Sequence, residues 1–135
     1  MYDGILFPTD GSGDANRALE HAIEFAERFG ATLHVVFVID DRAGERGRER
    51  QQGRGEAALT AIDDAAREYG LDVTTSVLEG QPAEELLAYA ESEPVDIVVM
   101  GTHGTDGEDR DRRLLGGVTD AVLRQSDAPV VTVSP

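Results

Sequence analysis

The stretch Ile97-Val98-Val99-Met100-Gly101-Thr102-His103-Gly104, followed beyond a polar loop by Leu114-Leu115-Gly116-Gly117-Val118-Thr119, decides the fold. A short continuous apolar run bounded by turn residues reads as a strand buried on both faces. Here it runs into a glycine turn, and a second glycine turn opens a helix. That layout aims backbone N–H groups at the carboxyl end of the strand, which is how proteins hold phosphate without charged side chains. The chain contains no lysine, and its twelve basic residues are all arginine. A bound anion must therefore be held by backbone amides, by arginine or by a bridging metal.

Outward from this segment the same alternation recurs. Gly4-Ile5-Leu6-Phe7-Pro8 is an apolar run that ends at the turn cluster Thr9-Asp10-Gly11-Ser12-Gly13. Ser12 or Asp14 can cap the helix that follows. There Leu19, Ala22, Ile23 and Ala26 recur at helical spacing and Gly30 is the stop. Thr32 to Ile39 is a second, almost wholly apolar strand. Residues 40–55 are rich in Gly, Arg, Glu and Gln and read as a mobile loop. A second helix carries Ala58, Leu59, Ile62, Ala65, Ala66 and Tyr69, ended by Gly70. Leu71 to Leu78 is a third strand, and Gly80-Gln81-Pro82 begins a third helix with proline near its first turn. Val95 to Met100 is the fourth strand, residues 101–115 a glycine-bounded loop, and Val118, Ala121 and Val122 mark a fourth helix. Pro129 to Val133 is the last strand.

Strands alternating with helices imply one domain over residues 1–135, an α/β fold with a parallel sheet wound on both faces. In such sheets ligands sit beyond the carboxyl ends of the strands, where the strand order reverses. The turn at 9–13 and the turn at 101–104 are expected to meet there.

Composition narrows the function. Net charge is −15, which repels nucleic acid, and no apolar run is long enough to span a membrane. The chain enters a strand-like run at once, so no signal peptide is expected. With no cysteine, disulfides, thiolate metal sites and cysteine nucleophiles are excluded, which fits a cytoplasmic protein. An acidic, lysine-free surface resembles proteins of salt-loving cells; a GC-rich genome produces the same bias.

Asp10, at the mouth of the first strand, can accept hydrogen bonds from ribose hydroxyls or help hold a divalent metal; the alternative is a turn or capping aspartate. Gly11-Ser12-Gly13 opens like a dinucleotide fingerprint, but position 16 is Asn, and no segment ends in Gly-Lys-Ser/Thr. Among the histidines, His21 and His34 read as structural or surface residues, and His103 sits inside the glycine turn. Two arginine groups, Arg42, Arg46, Arg48, Arg50 and Arg54, and Arg110, Arg112 and Arg113, are interleaved with acids and read as solvated and self-paired. No general base is positioned by sequence, and no lysine is present to stabilise a leaving phosphate, so no catalytic residue is expected.

With these residues placed, the chain resembles the universal stress proteins of the UspA type. The resemblance rests on Ile5-Leu6-Phe7-Pro8-Thr9-Asp10-Gly11-Ser12, on Val36-Phe37-Val38-Ile39-Asp40, on Asp96 to Gly104, on Leu114 to Leu123 and on Asp127 to Val133. It implies a five-stranded parallel sheet in the order 3-2-1-4-5 with four helices, the adenine nucleotide alpha hydrolase-like fold. It further implies a homodimer through Val130, Val131, Thr132 and Val133, and ATP bound with Mg2+ or Mn2+. By the same resemblance Pro8, Thr9, Asp10 and Val38 line the adenine and ribose end. Met100, Gly101, His103 and Gly104, with Gly116, Gly117, Val118 and Thr119, surround the phosphates, and Asp10 is the candidate metal ligand. The ATP-binding branch spaces Gly-x-x-Gly from Gly-Ser/Thr by nine residues. Here eleven separate Gly104 from Gly116, and Gly117 stands in place of the hydroxyl residue. Two readings follow: a nucleotide-binding dimeric stress sensor, or an interaction protein of the same fold that binds no ATP.

Overall fold

The computed structural model describes residues 2–11, 15–102 and 117–134. Along the chain these form β1 (Gly4–Pro8), α1 (Ala15–Phe29), β2 (Thr32–Asp40), α2 (Gly44–Glu68), β3 (Val73–Gly80), α3 (Pro82–Ser92), β4 (Ile97–Gly101), α4 (Gly117–Gln125) and β5 (Val130–Val133). The five strands pair in parallel in the order β3-β2-β1-β4-β5, the order expected. Ile5 of β1 lies opposite Leu33 on one side and Ile97 on the other, so the order reverses at the β1–β4 junction.

Alternation along the strands divides the apolar residues between two layers. Ile5, Phe7, Leu33, Val35, Phe37, Ile97 and Val99 pack against Ala18, Ala22 and Ala26 of α1 and Leu59, Ile62 and Ala66 of α2. Leu6, Val36, Val98 and Met100 pack against Leu86 and Tyr89 of α3 and Val122 of α4. Both faces of the central strands are thus removed from water, which explains their unbroken apolar runs. Burying each large side chain contributes about 1.5–3 kcal/mol relative to exposure.

The amino ends of β1 and β4 are locked together. The Asp96 carboxylate accepts the N–H of Asp3 at 2.7 Å and of Gly4 at 3.1 Å, and the Asp96 N–H donates to the Gly4 carbonyl at 2.8 Å. A Cβ on Gly4 would collide with the Pro94 carbonyl oxygen, so only glycine allows this approach. Asp96 therefore serves the architecture at the end of the sheet opposite the candidate site.

Several boundaries follow expectation. Gly30 and Gly70 end their helices at φ +65° and +76°. Pro82 opens α3, where the Gln81 side chain accepts the Glu84 N–H at 2.8 Å. β3 and β4 each start two residues later than the apolar pattern suggested. Ser12 and Asp14, the proposed caps of α1, lie outside the described residues.

The expectation of a mobile loop over 40–55 is overturned. Asp40 closes β2, a short turn follows in which the Ala43 N–H donates to the Asp40 carbonyl at 3.2 Å, and α2 begins at Gly44. The helix is 25 residues long and its first three turns are almost entirely polar. What its inward face presents there is not apolar. Gln51 uses its side-chain oxygen to accept the Asp40 N–H at 2.9 Å, and Gly55 lets the helix backbone close on Phe37. A hydrogen bond and a close approach replace the apolar stripe that marks most amphipathic helices.

Candidate functional site

At the carboxyl end of the sheet, β1 runs out through Pro8 into Thr9, Asp10 and Gly11. Its neighbours there are the ends of β2 and β4. Pro8 lies opposite Val36, and the register that sets Leu6 opposite Val98 carries Pro8 toward Met100. Pro8, Val38 and Met100 have the same parity as Leu6, Val36 and Val98, so all three belong to the sheet face that carries α3 and α4. Met100 is buried there and Val38 packs against the same layer. This gives the mouth an apolar side.

Thr9 is buried. Its N–H continues the ladder to the Val36 carbonyl at 2.9 Å, and its hydroxyl oxygen accepts the Gly11 N–H at 3.1 Å. The turn this makes requires Gly11 at φ +80°, a conformation that glycine adopts without penalty. The amides of Thr9 and Gly11 are therefore engaged inside the protein. The expectation of two facing amide cradles is narrowed: among the described residues, the β1 side offers the Asp10 carboxylate and the edge of the turn.

The opposing side is built from β4 and α4. Thr102 is buried and its N–H donates to the Val133 carbonyl at 3.2 Å, which continues the β4–β5 ladder past Gly101. Thr119, also buried, donates its hydroxyl to the Gly101 carbonyl at 2.9 Å. That bond, spanning 18 positions in sequence, pins the first turn of α4 to the end of β4. First-turn N–H groups have no partner within their own helix and carry its partial positive charge. Gly117 is exposed, and among the described residues a Cβ there would meet nothing within 4 Å. Val118, next along this turn, is half-buried.

Of the sequence-predicted residues, Pro8, Thr9, Asp10, Val38, Met100, Gly101, Gly117, Val118 and Thr119 are thus brought to one end of the sheet. His103, Gly104 and Gly116 lie outside the described residues, as do Arg110, Arg112 and Arg113. Among the described residues no group of three His, Asp, Glu or Cys side chains could hold a metal. No helix among them is long and apolar enough to cross a membrane.

Sequence reasoning missed the wall contributed by α2. Arg42 pairs with Asp40 (Nη2 to Oδ2, 2.8 Å), and its side chain and backbone N–H hold the Asp40 carboxyl below its ordinary range. Arg48 reaches Glu79 at the end of β3 at 3.3 Å. These two behave as the self-paired charges expected, although Arg48 does so from a helix. Arg54 differs. Its side chain crosses over Gly11, and its guanidinium lies 6.0 Å from the centre of the Phe37 ring. The usable signal was the four-residue spacing Gly47, Gln51, Gly55, Leu59, which continues the inward stripe of the helix backward through non-apolar residues.

The remaining histidines are where expected. His21 is exposed on α1, and His34 is buried with Nδ1 2.8 Å from the Tyr89 hydroxyl, its ring edge-on to the tyrosine. Burial lowers the His34 pKa, partly opposed by the Glu93 carboxylate.

Comparison with known proteins agrees with this architecture. The universal stress protein family model matches residues 1–134. The universal stress protein MJ0531 of Methanocaldococcus jannaschii is 34% identical over 142 aligned residues, spanning 98% of this chain and 82% of that protein. A second protein of that organism, MJ0577, is 32% identical across 98% of this chain and 95% of its own length. Its solved structure matches at a TM-score of 0.83, with 33% identity, covering 100% of this chain and 97% of that one. A universal stress protein solved in complex with cAMP matches at a TM-score of 0.77, with 25% identity, covering 98% of this chain and 97% of that one. A match over nearly the whole length, with relatives at this identity, establishes that the chain belongs to the universal stress protein family.

Proposed function

We propose that this protein binds an adenine nucleotide, ATP, at the mouth between β1, β4 and α4, and acts in the cytoplasm as a dimeric sensor whose nucleotide state a partner reads. The observation that carries this reading is the fastening of α4 by the Thr119–Gly101 bond to the carboxyl end of β4, the strand that pairs with β1, whose own carboxyl end runs into the Thr9–Gly11 turn. A helix N-terminus, a carboxylate and an apolar face thus belong to the same end of the sheet. Pro8, Val38 and Met100 offer a surface for a flat base, Asp10 an acceptor for ribose hydroxyls, and Gly117, Val118 and Thr119 donors for phosphate. His103, Gly104 and Gly116 join them on sequence grounds. The relative solved with cAMP supports an adenine ligand. Mg2+ or Mn2+ would enter with the phosphates, whose oxygens complete its coordination, with Asp10 as the protein ligand. Val130, Val131, Thr132 and Val133 leave β5 as an edge strand suited to pairing with a second copy.

The competing reading is an interaction protein without ATP. It is favoured by Gly117, which removes a hydroxyl donor worth about 1–3 kcal/mol at a charged acceptor, and by the eleven-residue spacing. Chromatography of the supernatant from freshly purified, denatured protein decides between them, together with calorimetry of ATP in Mg2+ and high salt. Our reading expects adenine nucleotide in the supernatant and saturable heat. Neither signal, with binding gained on Gly117→Ser plus deletion of two residues within 105–115, would establish the alternative.

A further inference from the structure

The mouth as described has a charge problem. Its β1 side presents Asp10, and the amides of Thr9 and Gly11 are directed inward. The chain has no lysine, and no metal cluster exists among the described residues. Among the described residues, a polyphosphate approaching α4 would meet a helix N-terminus on one side and, on the other, the acidic turn at Asp10, on a protein of net charge −15.

Arg54 resolves it. An ideal Cβ placed on Gly11 would lie 2.9 Å from Arg54 Cγ, 3.1 Å from Cδ and 3.5 Å from Nε. The arginine stem therefore occupies the volume that any other residue at position 11 would claim. The guanidinium stays at the solvent edge over Phe37, in the range of a cation–π contact. Helix α2 is fixed on both sides of this residue. Gln51 accepts the Asp40 N–H one turn earlier, and Gly55 seats against Phe37 so closely that a Cβ would come within 2.6 Å of the ring. Among the described residues Arg42 and Arg48 on the same segment are in ion pairs and Arg54 is not. An exposed, pre-positioned fork with its stem locked by glycine is the arrangement expected of a phosphate-reading arginine.

We propose that Arg54 is a nucleotide-binding residue that recognises the phosphate tail of the ligand, so that affinity depends on phosphate charge as well as on the base. This rests on the nucleotide reading above, and the test separates the two. Calorimetry of the full chain with ATP and with adenosine, on the parent protein, Arg54→Gln and Arg54→Lys, is the experiment. Arg54→Gln should weaken ATP at least tenfold and leave adenosine within twofold. Arg54→Lys, which keeps the charge and loses the fork, should fall between. The ATP affinity of the parent should decline with added salt more steeply than that of Arg54→Gln. If the parent binds ATP and Arg54→Gln binds it equally well, the role of Arg54 is overturned while the nucleotide site stands. Equal loss of ATP and adenosine would make Arg54 a structural support of the turn and also overturn it. A parent protein that binds neither ligand removes both proposals.

Discussion

Thr119 holds the candidate site together at the scale of a single hydroxyl. It is buried, and its bond to the Gly101 carbonyl joins an element with few other ties to the sheet end. Thr119→Val keeps the shape and removes the donor, leaving the carbonyl short of a partner at a cost of about 1–2 kcal/mol. Urea denaturation should show that loss, and ATP affinity should drop in step because the first turn of α4 is no longer aimed. The buried His34–Tyr89 pair acts at the same scale for stability. Burial lowers the folded pKa of His34 below its ordinary 6.5, so the unfolded chain binds the proton more readily. The stability from neutral His34 is complete above that value and is lost as pH falls through it toward the folded pKa. Denaturant midpoints between pH 7.5 and 5.5 should decline in the parent and decline less in His34→Gln; identical slopes would contradict the assignment.

Within α2 the glycines make opposite predictions. Gly55 is buried against Phe37, and a Cβ there would crowd the ring at 2.6 Å. Overpacking of that kind costs about 1–3 kcal/mol, more than the roughly 0.5–1 kcal/mol that alanine gains in a helix interior. A Cβ at Gly53 would meet nothing within 4 Å among the described residues, so alanine there keeps the gain alone. Gly55→Ala should lower the urea midpoint and Gly53→Ala should raise it. These contrasting environments also explain what could be read in advance. The central strands were legible because both-face burial writes itself as runs such as Ile97 to Met100, and the sheet order was legible only through the resemblance to the universal stress proteins. The first turns of α2 were not, because their contacts are made by a glutamine oxygen and an absent side chain, neither of which leaves an apolar period. The same blindness hid Arg54, whose position follows only from knowing that residues 44–55 are helical. It also hid the inward direction of the Thr9 and Gly11 amides, since a glycine-rich turn specifies a conformation and not the partner of each N–H.

For the whole molecule, the net charge of −15 makes self-repulsion a general term opposing compactness. Salt screens it, so the melting temperature should rise by several degrees from about 0.05 to 1 M NaCl, where the screening length falls to about 3 Å. A flat response would show that the carboxylates are already neutralised locally. Pairing of β5 with a second copy should give a dimer mass by light scattering, reduced to monomer by a charge at Val131; a monomeric parent protein would reject that interface. The location of the nucleotide is read out by an ATP titration of the backbone amide NMR spectrum. Saturable shifts are expected at Asp10, Gly11, Gly101, Thr102, Val118 and Thr119, with Asp3, Gly4 and Asp96 at the far end of the sheet unmoved. Shifts confined to that far end, or none at all at millimolar ATP, would contradict that location.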